Sequence, residues 1–446
     1  MLRKGTERRI ERTYEGTLVY ADRQQQRKRR GPDGVFELTC FLACVAMAFA
    51  SSLALPRPAR AEWTPPVQLS ATGGNVRVAE DGHGDAFATW QECRSGCKGQ
   101  VVIADYLPAG ASTWQPPVQI STAEESYLAG IAGDSFGDGL AAWVTPAGLQ
   151  SAVRPAALGS WQAPTPIGPT SGEANDLRLA ADPAGGAVAV WGNQGFAIEA
   201  AVRPAATGQW EAPVVVSGPD ERASEPQVAI REGGEVAVVW KVYEPETIPC
   251  PSPPSSDPCS LILSSKESMK AAFRSDAGTW QAPFALASAD SVDEPQISLD
   301  DAGNATALWR ASSGEKRAVE SSQRPAGGAW QPPVTLTVTP LPHIGNPLDS
   351  SLQLAVNGLG EATAAWVHES PNALGGLSGV GVVETAIRNA DGSWQTPTVI
   401  SGSEHAGSLR LAENSSGTAA AVWSCDVAGH YPLTTLGSVR PGADTS

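Results

Sequence analysis

Histidine is scarce in this sequence, and several motifs that identify common enzyme classes are missing. The chain has no P-loop, no dinucleotide-binding fingerprint and no His-Glu-x-x-His motif. These absences argue against P-loop nucleotide hydrolases, dinucleotide-dependent enzymes and zinc peptidases. The five histidines are scattered, at His83, His343, His368, His405 and His430. We therefore assign no catalytic residue, no metal site and no cofactor from the sequence.

Cysteine is also infrequent, and acidic residues outnumber basic ones. The 446 residues include 7 cysteines, 31 Lys and Arg and 47 Asp and Glu, with a formal net charge of −16. Residues 1–61 hold 12 of the basic and 6 of the acidic residues, which leaves 19 basic and 41 acidic residues and a net charge of −22 for residues 62–446. This balance argues against nucleic acid and anionic membranes as partners. It also keeps an exported protein soluble.

Residues 1–61 differ in composition from the rest of the chain. A basic stretch, Arg27–Arg30, precedes the uncharged run Leu38–Leu55, and an Ala-x-Ala site ends at Ala61. This order predicts a secretory signal peptide that is cleaved after Ala61. The alternative is an uncleaved anchor, because an apolar run of this length is near the minimum for a membrane span. Both interpretations predict a protein that is secreted or held at the cell surface.

The 14 tryptophans fall into two sets of seven, and none is left over. One set begins a Trp-x-x-Pro motif, at Trp63, Trp114, Trp161, Trp210, Trp280, Trp330 and Trp394. The other set ends a short apolar stretch, at Trp90, Trp143, Trp191, Trp240, Trp309, Trp366 and Trp423. Two independent counts of seven indicate seven copies of one unit.

A glycine stands six residues before each tryptophan of the second set: Gly84, Gly137, Gly185, Gly234, Gly303, Gly360 and Gly417. Three residues earlier comes an Asp or Asn in every unit except the fourth, which has Arg231. This pair of positions predicts a tight turn with a left-handed glycine and a side-chain cap. Around it, the unit contains four predicted strands, which for the third copy are Leu177–Ala181, Ala187–Trp191, Ala197–Arg203 and Trp210–Ser217.

A period of about 50 residues with four strands per unit predicts a β-propeller. We therefore expect an all-β, seven-bladed β-propeller over residues 62–446, with four antiparallel strands per blade. Residues Glu62–Ser70 read as a fourth strand without its first three, and Ser438–Ser446 read as a third strand and its turn. These two segments are expected to share the last blade and close the ring.

The repeated pattern resembles the seven-bladed propellers of the WD-repeat and sialidase-like kind, over essentially all of residues 62–446. The resemblance concerns architecture. The sialidase Asp-box pattern, Ser-x-Asp-x-Gly-x-Thr-Trp, is absent, and the Gly-His and Trp-Asp dipeptides of WD repeats do not occur as a set. The resemblance implies a rigid ring whose loops carry the binding residues.

Five cysteines follow the predicted signal, each shortly after a tryptophan of the second set. They are therefore expected in loops between second and third strands, on one face of the ring, which we call the loop-rich face. The simplest disulfides are Cys93–Cys97 and Cys250–Cys259, with Cys425 free. Alternatively, Cys425 bonds Cys93 or Cys97 across the closed seam. The spacings match no common zinc site.

Acidic residues precede the first strands of four consecutive blades, near the expected opening of the central channel. They are Asp176, Glu225, Glu294 and Asp349. Carboxylates gathered there can hold a cation, an amine or sugar hydroxyls, and paired carboxylates can perform acid–base catalysis if burial separates their pKa values. Alternatively, they form a solvated acidic rim.

Arginine ends the third strand in six blades, at Arg154, Arg203, Arg274, Arg324, Arg388 and Arg440. This recurring position predicts a structural role, in which the guanidinium stacks on the nearby Trp-x-x-Pro indole. By contrast, the innermost strands are mostly apolar, and Gln227, Gln296 and Gln353 share a position there.

Together these features predict an exported, monomeric, non-enzymatic scaffold that binds a protein or a glycan through its loop-rich face. Membrane contact is expected only if the leader is retained. The alternative is a sialidase-like glycoside hydrolase or lyase that uses the channel-mouth carboxylates.

Overall fold

The computed structural model describes residues 68–71, 73–94, 99–122, 125–168, 174–249, 260–340, 351–370, 380–401, 405–414, 417–426 and 434–440. All of them belong to one compact unit, Val67–Ser446. The described residues include no helix that is long and apolar enough to cross a membrane. The leader and its cleavage site lie outside these ranges and stay predictions.

The protein is all-β and forms seven antiparallel sheets in chain order, blades one to seven. Blades one to three comprise β1 (Gly73–Glu80), β2 (Ala86–Arg94), β3 (Gly99–Leu107), β4 (Val118–Gln119), β5 (Tyr127–Gly133), β6 (Gly139–Thr145), β7 (Gly148–Arg154), β8 (Thr165–Gly168), β9 (Asn175–Ala181), β10 (Ala187–Gly192), β11 (Ile198–Arg203) and β12 (Val214–Val215). Blades four and five comprise β13 (Arg222–Ile230), β14 (Val236–Pro249), β15 (Ser260–Arg274), β16 (Phe284–Ala289), β17 (Ser291–Leu299), β18 (Ala305–Ser313), β19 (Lys316–Arg324) and β20 (Val334–Pro340). Blades six and seven comprise β21 (Leu352–Val356), β22 (Ala362–Ser370), β23 (Val380–Arg388), β24 (Thr398–Val399), β25 (His405–Glu413), β26 (Ala419–Asp426) and β27 (Thr434–Arg440).

Within each blade the strands pair in chain order. The first strands of consecutive blades contact one another, from β1 and β5 through to β21 and β25. First strands therefore line the centre and fourth strands lie at the outer edge, which is the architecture of a seven-bladed β-propeller. The predicted fold class is confirmed at this level.

The tryptophans of the second set form the core between blades. All seven are 0–3% exposed. Trp191 packs against Ile167 on the fourth strand of the preceding blade, and its indole N–H donates to Glu199 at 2.9 Å. The same contact joins Trp143 to Ile120. The predicted packing role of these residues is confirmed.

The predicted turns between first and second strands are also confirmed. In blade three, Gly185 has φ 88°, and Asp182 Oδ1 accepts hydrogen bonds from the N–H groups of Ala184 and Gly186 at 2.8 and 2.9 Å. In blade four Arg231 replaces the capping side chain and pairs with Glu235 instead.

The third-strand arginines anchor these turns. Their guanidinium groups donate to the carbonyl of the turn glycine, as seen for Arg203, Arg274, Arg388 and Arg440 at 2.8–3.2 Å. Two further arginines stack on an aromatic ring of the preceding blade, Arg154 on Tyr106 at 3.4 Å and Arg324 on Phe273 at 3.7 Å. The structural role is as predicted, but the partners are turn carbonyls, or aromatic rings of the preceding blade, instead of the predicted Trp-x-x-Pro indole.

Blade four carries a protruding arm where the sequence predicted a loop. Strands β14 and β15 remain paired from Val236 with Arg274 out to Pro249 with Ser260. The flanking strands stop earlier, because β13 begins opposite Tyr243 and β16 ends opposite Glu267. Beyond those residues the arm has only two strands, and its outer edges accept proline without losing a ladder hydrogen bond.

Blade seven has three strands, and the facing sides of blades seven and one are open within the described residues. Val76 is 61% exposed, whereas Leu177 at the same position in blade three is 4% exposed. On blade seven, Val422 is 46% exposed, whereas its equivalent Val190 is fully buried. We call these two apolar surfaces the seam faces.

Candidate functional site

The predicted channel-mouth acids lie on a β-bulge that recurs in the first strands. In blades three, four and five the bulge residue is Asp176, Glu225 and Glu294, each with a left-handed φ of 49–54°. Asn75 and Ser408 occupy it in blades one and seven, with φ values of 52° and 49°. A positive φ is unfavourable for residues other than glycine. The extra residue in a bulge changes the direction in which neighbouring side chains of the innermost strand point, compared with a regular strand.

Three of the four predicted acids therefore share one structural position. Asp349 lies outside the described residues, and its placement stays a prediction. The strand register shows which residue of blade six matches the other three. Gln227 and Gln296 lie two residues after the bulge acids, and Gln353 pairs with Ala365 as they pair with Val239 and Leu308. Counting back from Gln353 gives Ser351.

Lys241 gathers the acids of blades four and five. Its Nζ lies 3.5 Å from Glu225 Oε1, 3.2 Å from Glu267 Oε1 and 3.1 Å from Asp293 Oδ1. The Lys241 side chain is 14% exposed, whereas those of Glu225 and Asp293 are 43% and 41% exposed. The mostly buried ammonium of Lys241 thus forms ion pairs with two accessible carboxylates from neighbouring blades.

These contacts shift proton affinities at the mouth. Burial raises the pKa of Glu225, and the carboxylates of Asp293 and Asp176 add to this effect, while Lys241 opposes it. Burial opposes ionisation of Lys241, but the three carboxylates outweigh it and raise its pKa. Glu225 is therefore the carboxylate at the mouth with a raised pKa, beside a lysine that stays charged.

Arg310 performs the corresponding task one blade further on. Its Nε donates to Glu294 Oε2 at 2.9 Å, and its Nη2 donates to the Val367 carbonyl of blade six at 2.8 Å. The Arg310 side chain is only 5% exposed, and burial lowers its pKa. Lys241 and Arg310 thus cross-link blades four, five and six just behind the acids.

Sequence reasoning missed both cations, although a signal was present. Each follows a tryptophan of the second set directly, in Trp240-Lys241 and Trp309-Arg310. The other blades have Gln91, Val144, Gly192, Val367 and Ser424 at this position. Only the pairing register of the first and second strands shows that this position lies opposite the bulge.

Sequence reasoning also missed three arginines at the position of the shared glutamines. Gln227, Gln296 and Gln353 each pair with the residue before a second-set tryptophan, and the same pairing holds for Arg77, Gly130, Arg178 and Arg410. This channel layer, two residues below the bulge, therefore contains three arginines, three glutamines and one glycine.

One segment of the chain has the spacing of a catalytic serine motif but plays a structural role. Gly133–Gly137 matches Gly-x-Ser-x-Gly, but it forms the turn between β5 and β6 rather than a strand-to-helix elbow. Ser135 Oγ donates to the Pro183 carbonyl of the next blade, and Asp134 caps the turn. It is the blade-two copy of the turn that every blade contains.

Of the predicted disulfide cysteines, Cys93 lies in β2 and is disulfide-bonded. Cys97, Cys250 and Cys259 lie outside the described residues, so the pairing stays a prediction. Within the described residues, no group of three His, Cys, Asp or Glu side chains has metal-binding geometry.

No protein-family model and no curated protein matches this chain. Among solved structures, an ulvan lyase of polysaccharide lyase family PL25 is similar, with a TM-score of 0.47 and 9% identity over 80% of this chain and 92% of that chain. A protein of unknown function from Dyadobacter fermentans has a TM-score of 0.41 and 14% identity over 82% and 94%. The Dos1 propeller has a TM-score of 0.40 and 9% identity over 80% and 91%.

Proposed function

We propose that the protein is an exported, non-enzymatic binding scaffold that engages a glycan at the channel mouth on its loop-rich face. The supporting observation is the ionic network of Lys241 and Arg310, which holds carboxylates of neighbouring blades in place. A pre-organised set of acceptors and donors suits sugar hydroxyls, because little ordering remains to be done on binding. Carboxylates already committed to ion pairs also favour binding over acid–base chemistry.

The test is binding of purified residues 62–446 to a broad glycan array, beside the variant Asp176→Asn/Glu225→Gln. These two carboxylates are accessible, and Lys241 keeps Glu267 and Asp293 as ion-pair partners in the variant. Binding by the unmodified protein that is lost in the variant supports a glycan site at the mouth.

A matched control removes two charges from the opposite face. Glu232 and Asp301 are exposed in turns between first and second strands, so Glu232→Gln/Asp301→Asn should bind like the unmodified protein. If no form of the protein binds a glycan, a glycan ligand is rejected. The ligand proposed for the loop-rich face is then a protein.

A glycoside hydrolase or lyase is the second candidate function, and the raised pKa of Glu225 favours it. A carboxyl group with a raised pKa is suited to act as a general acid, and the carboxylates of Asp176 and Asp293 are near enough to influence it. The discriminating assay is the release of new reducing ends or unsaturated products from a bound glycan. Product formation that Glu225→Gln abolishes while binding persists would establish the enzyme and reject the scaffold.

We propose that Trp63–Ser70 supplies the fourth strand of blade seven and closes the ring. Leu69 packs beside Trp90, as Ile120 directly after β4 and Ile167 on β8 pack against the tryptophan of the following blade. Ser70 Oγ also donates to Glu92 at 2.7 Å. Closure would bury both seam faces against each other.

Export and a monomeric state are part of the same proposal. Expression in a secreting host should yield a protein that begins at Glu62 and elutes as a monomer in size-exclusion chromatography. A retained leader in a membrane fraction would replace secretion by anchoring at the cell surface.

A further inference from the structure

The channel layer differs in charge between its two halves. Blades four, five and six present Gln227, Gln296 and Gln353, whereas blades one and three present Arg77 and Arg178. Repetition alone would place the same residue in every blade. A binding site on a scaffold of repeated blades needs residues that differ between the blades, and this layer has them.

The backbone contact of these arginines does not require their charge. Arg77, Arg178 and Arg410 each donate to the carbonyl of the preceding residue, at 3.0, 3.3 and 2.8 Å. Gln353 makes the same bond to Leu352 at 2.9 Å. A neutral amide therefore satisfies this carbonyl equally well, and the positive charge needs another explanation.

Within the described residues, these arginines form no salt bridge, although acidic residues predominate in the chain. The carboxylates of Asp176 and Glu225 lie near enough to Arg178 to influence its pKa. Other arginines without a salt bridge bind a turn carbonyl of their blade or stack on an aromatic ring, as Arg203 and Arg324 do. By contrast, the hydrogen bonds of Arg77, Arg178 and Arg410 to the preceding carbonyl use one of the five N–H donors of each guanidinium.

The charges of Arg77 and Arg178 influence each other. Burial lowers the pKa of Arg178 and the charge of Arg77 adds to this shift, whereas the carboxylates of Asp176 and Glu225 oppose it. Gly130 of blade two lies between them in the ring, and a Cβ there would meet Leu179 Cβ at 2.9 Å. Packing of blades two and three thus requires glycine, and no side chain separates the two arginines.

We propose that Arg77 and Arg178, together with Arg410, form an anion-binding layer in the channel that receives a carboxylate or sulfate group of an acidic glycan. The glycan part rests on the proposed function, whereas the anion part stands on the channel layer alone. Planar guanidinium groups bind both anions through paired N–H donors. Ring closure would bring Arg410 of blade seven beside Arg77.

The test compares residues 62–446 with the variant Arg77→Gln/Arg178→Gln. Glutamine occupies this position in three blades, so the variant should fold and keep the backbone hydrogen bonds. The probes for calorimetry are oligosaccharides of polygalacturonate, of dextran sulfate and of neutral dextran. We expect an acidic probe to bind the unmodified protein and the variant to bind it at least about tenfold more weakly, because charge-assisted contacts are lost.

A charge-matched control separates the site from the general field of the protein. Lys266 and Lys316 are exposed on the loop-rich face away from the channel. Lys266→Gln/Lys316→Gln removes the same two charges and should leave the affinity within about threefold, since exposed charges are largely screened by salt. Equal affinities of the unmodified protein and Arg77→Gln/Arg178→Gln would overturn the proposal.

A third probe, inorganic sulfate at millimolar concentration, separates the two proposals. Thermal stabilisation of the unmodified protein beyond that of Arg77→Gln/Arg178→Gln supports the anion layer even if the array shows no glycan binding. Glycan binding that depends on Asp176 and Glu225, without preference for acidic probes and without a sulfate difference, supports the proposed function and rejects the anion layer. The affinities for polygalacturonate and for dextran sulfate show whether the layer prefers a carboxylate or a sulfate group.

Discussion

At the scale of single residues, one side-chain oxygen of Asp or Asn organises the turn between first and second strands in every blade except the fourth. Asp182 is 2% exposed, and its Oδ1 accepts two backbone N–H groups. Asp182→Ala would leave both donors without an acceptor. We expect the free energy of unfolding to fall by about 1–3 kcal/mol, the usual cost of unsatisfied buried polar groups. Urea denaturation of residues 62–446 measures this change.

The chain supplies its own control for this substitution. Asparagine holds the same position in blades six and seven, where Asn357 Oδ1 accepts from Leu359 and Glu361. Asp182→Asn should therefore stay within about 0.5 kcal/mol of the unmodified protein. If Asp182→Asn were as damaging as Asp182→Ala, the negative charge rather than the acceptor geometry would be the stabilising feature.

Glu225 is predicted to make stability depend on pH. Its pKa in the folded protein lies above its ordinary value of 4.5, so the folded state binds this proton more tightly than the unfolded state. The free energy of unfolding should therefore decrease as the pH rises from 4.5 through the folded-state pKa. Melting temperatures between about pH 4 and about pH 8 should show a smaller decrease for Glu225→Gln than for the unmodified protein.

The control for this experiment is Glu232→Gln, because Glu232 is exposed in a turn. Its pH profile should follow that of the unmodified protein. Identical profiles for Glu225→Gln and the unmodified protein would show that Lys241 compensates fully for burial of the carboxylate.

At the scale of elements, the arm of blade four predicts a disulfide at its tip. Pro249 pairs with Ser260, and Cys250 and Cys259 are their neighbours in the sequence, so we expect these two cysteines to come within disulfide distance. A two-stranded ribbon is marginally stable by itself in water, and a bond across its end would restrain it. Peptide mapping without reduction should therefore recover Cys250 linked to Cys259.

Reduction should then affect the arm before the blades. Limited proteolysis should cut between Tyr243 and Glu267 faster in the Cys250→Ser/Cys259→Ser variant, while the remaining fragments stay resistant. A peptide that links Cys250 to Cys93 or Cys425 would contradict the predicted pairing.

At the scale of the whole molecule, ring closure can be tested through strand register. In six blades the residue four positions after the Trp-x-x-Pro tryptophan pairs with the same position of the third strand. The pairs are Ala104 with Val118, Ser151 with Thr165, Ala200 with Val214, Ala271 with Phe284, Ser321 with Val334 and Thr385 with Thr398. If the ring is closed as proposed, the same rule predicts that Val67 pairs with Gly437. Oxidation of Val67→Cys/Gly437→Cys should therefore yield a disulfide, identified by peptide mass spectrometry.

The matched pair Ala200→Cys/Val214→Cys has the same register inside blade three. Both pairs should cross-link to a similar extent in the folded protein, and neither should in denaturant. A link in blade three without one at the seam would leave the ring open and the seam faces available to another partner.

Much of the architecture could be predicted from the sequence, because it depends on local and repeated features. The turn glycines need a positive φ wherever they occur, and the second-set tryptophans are buried in every blade. Spacing alone therefore indicated seven blades and the strand order within each. The position shared by Asp176, Glu225 and Glu294 also followed from spacing.

The charges that surround these acids could not be predicted in the same way. Lys241 reaches Asp293 in the next blade, and Arg310 reaches a carbonyl of blade six. Such contacts depend on how neighbouring sheets are oriented, which no single repeat encodes. Arg77 and Arg178 were overlooked although the spacing contains them: each stands seven residues before its turn glycine, as Gln227 does. What the spacing does not show is that this position lines the channel, which follows from the arrangement of the first strands.

The core clusters that join consecutive blades also bear on how the chain is synthesised. Trp191 packs on blade two, and the apolar core of blade four continues that of blade three. Each blade can therefore dock on one that has already left the ribosome, and folding can advance from the N-terminal side as synthesis proceeds. If the ring closes as proposed, the contact between blades seven and one is different, because it joins strands that are far apart in sequence. This contact can form only after blade seven has been synthesised, so closure would be the last step of folding and the first to be lost in a chain truncated within blade seven.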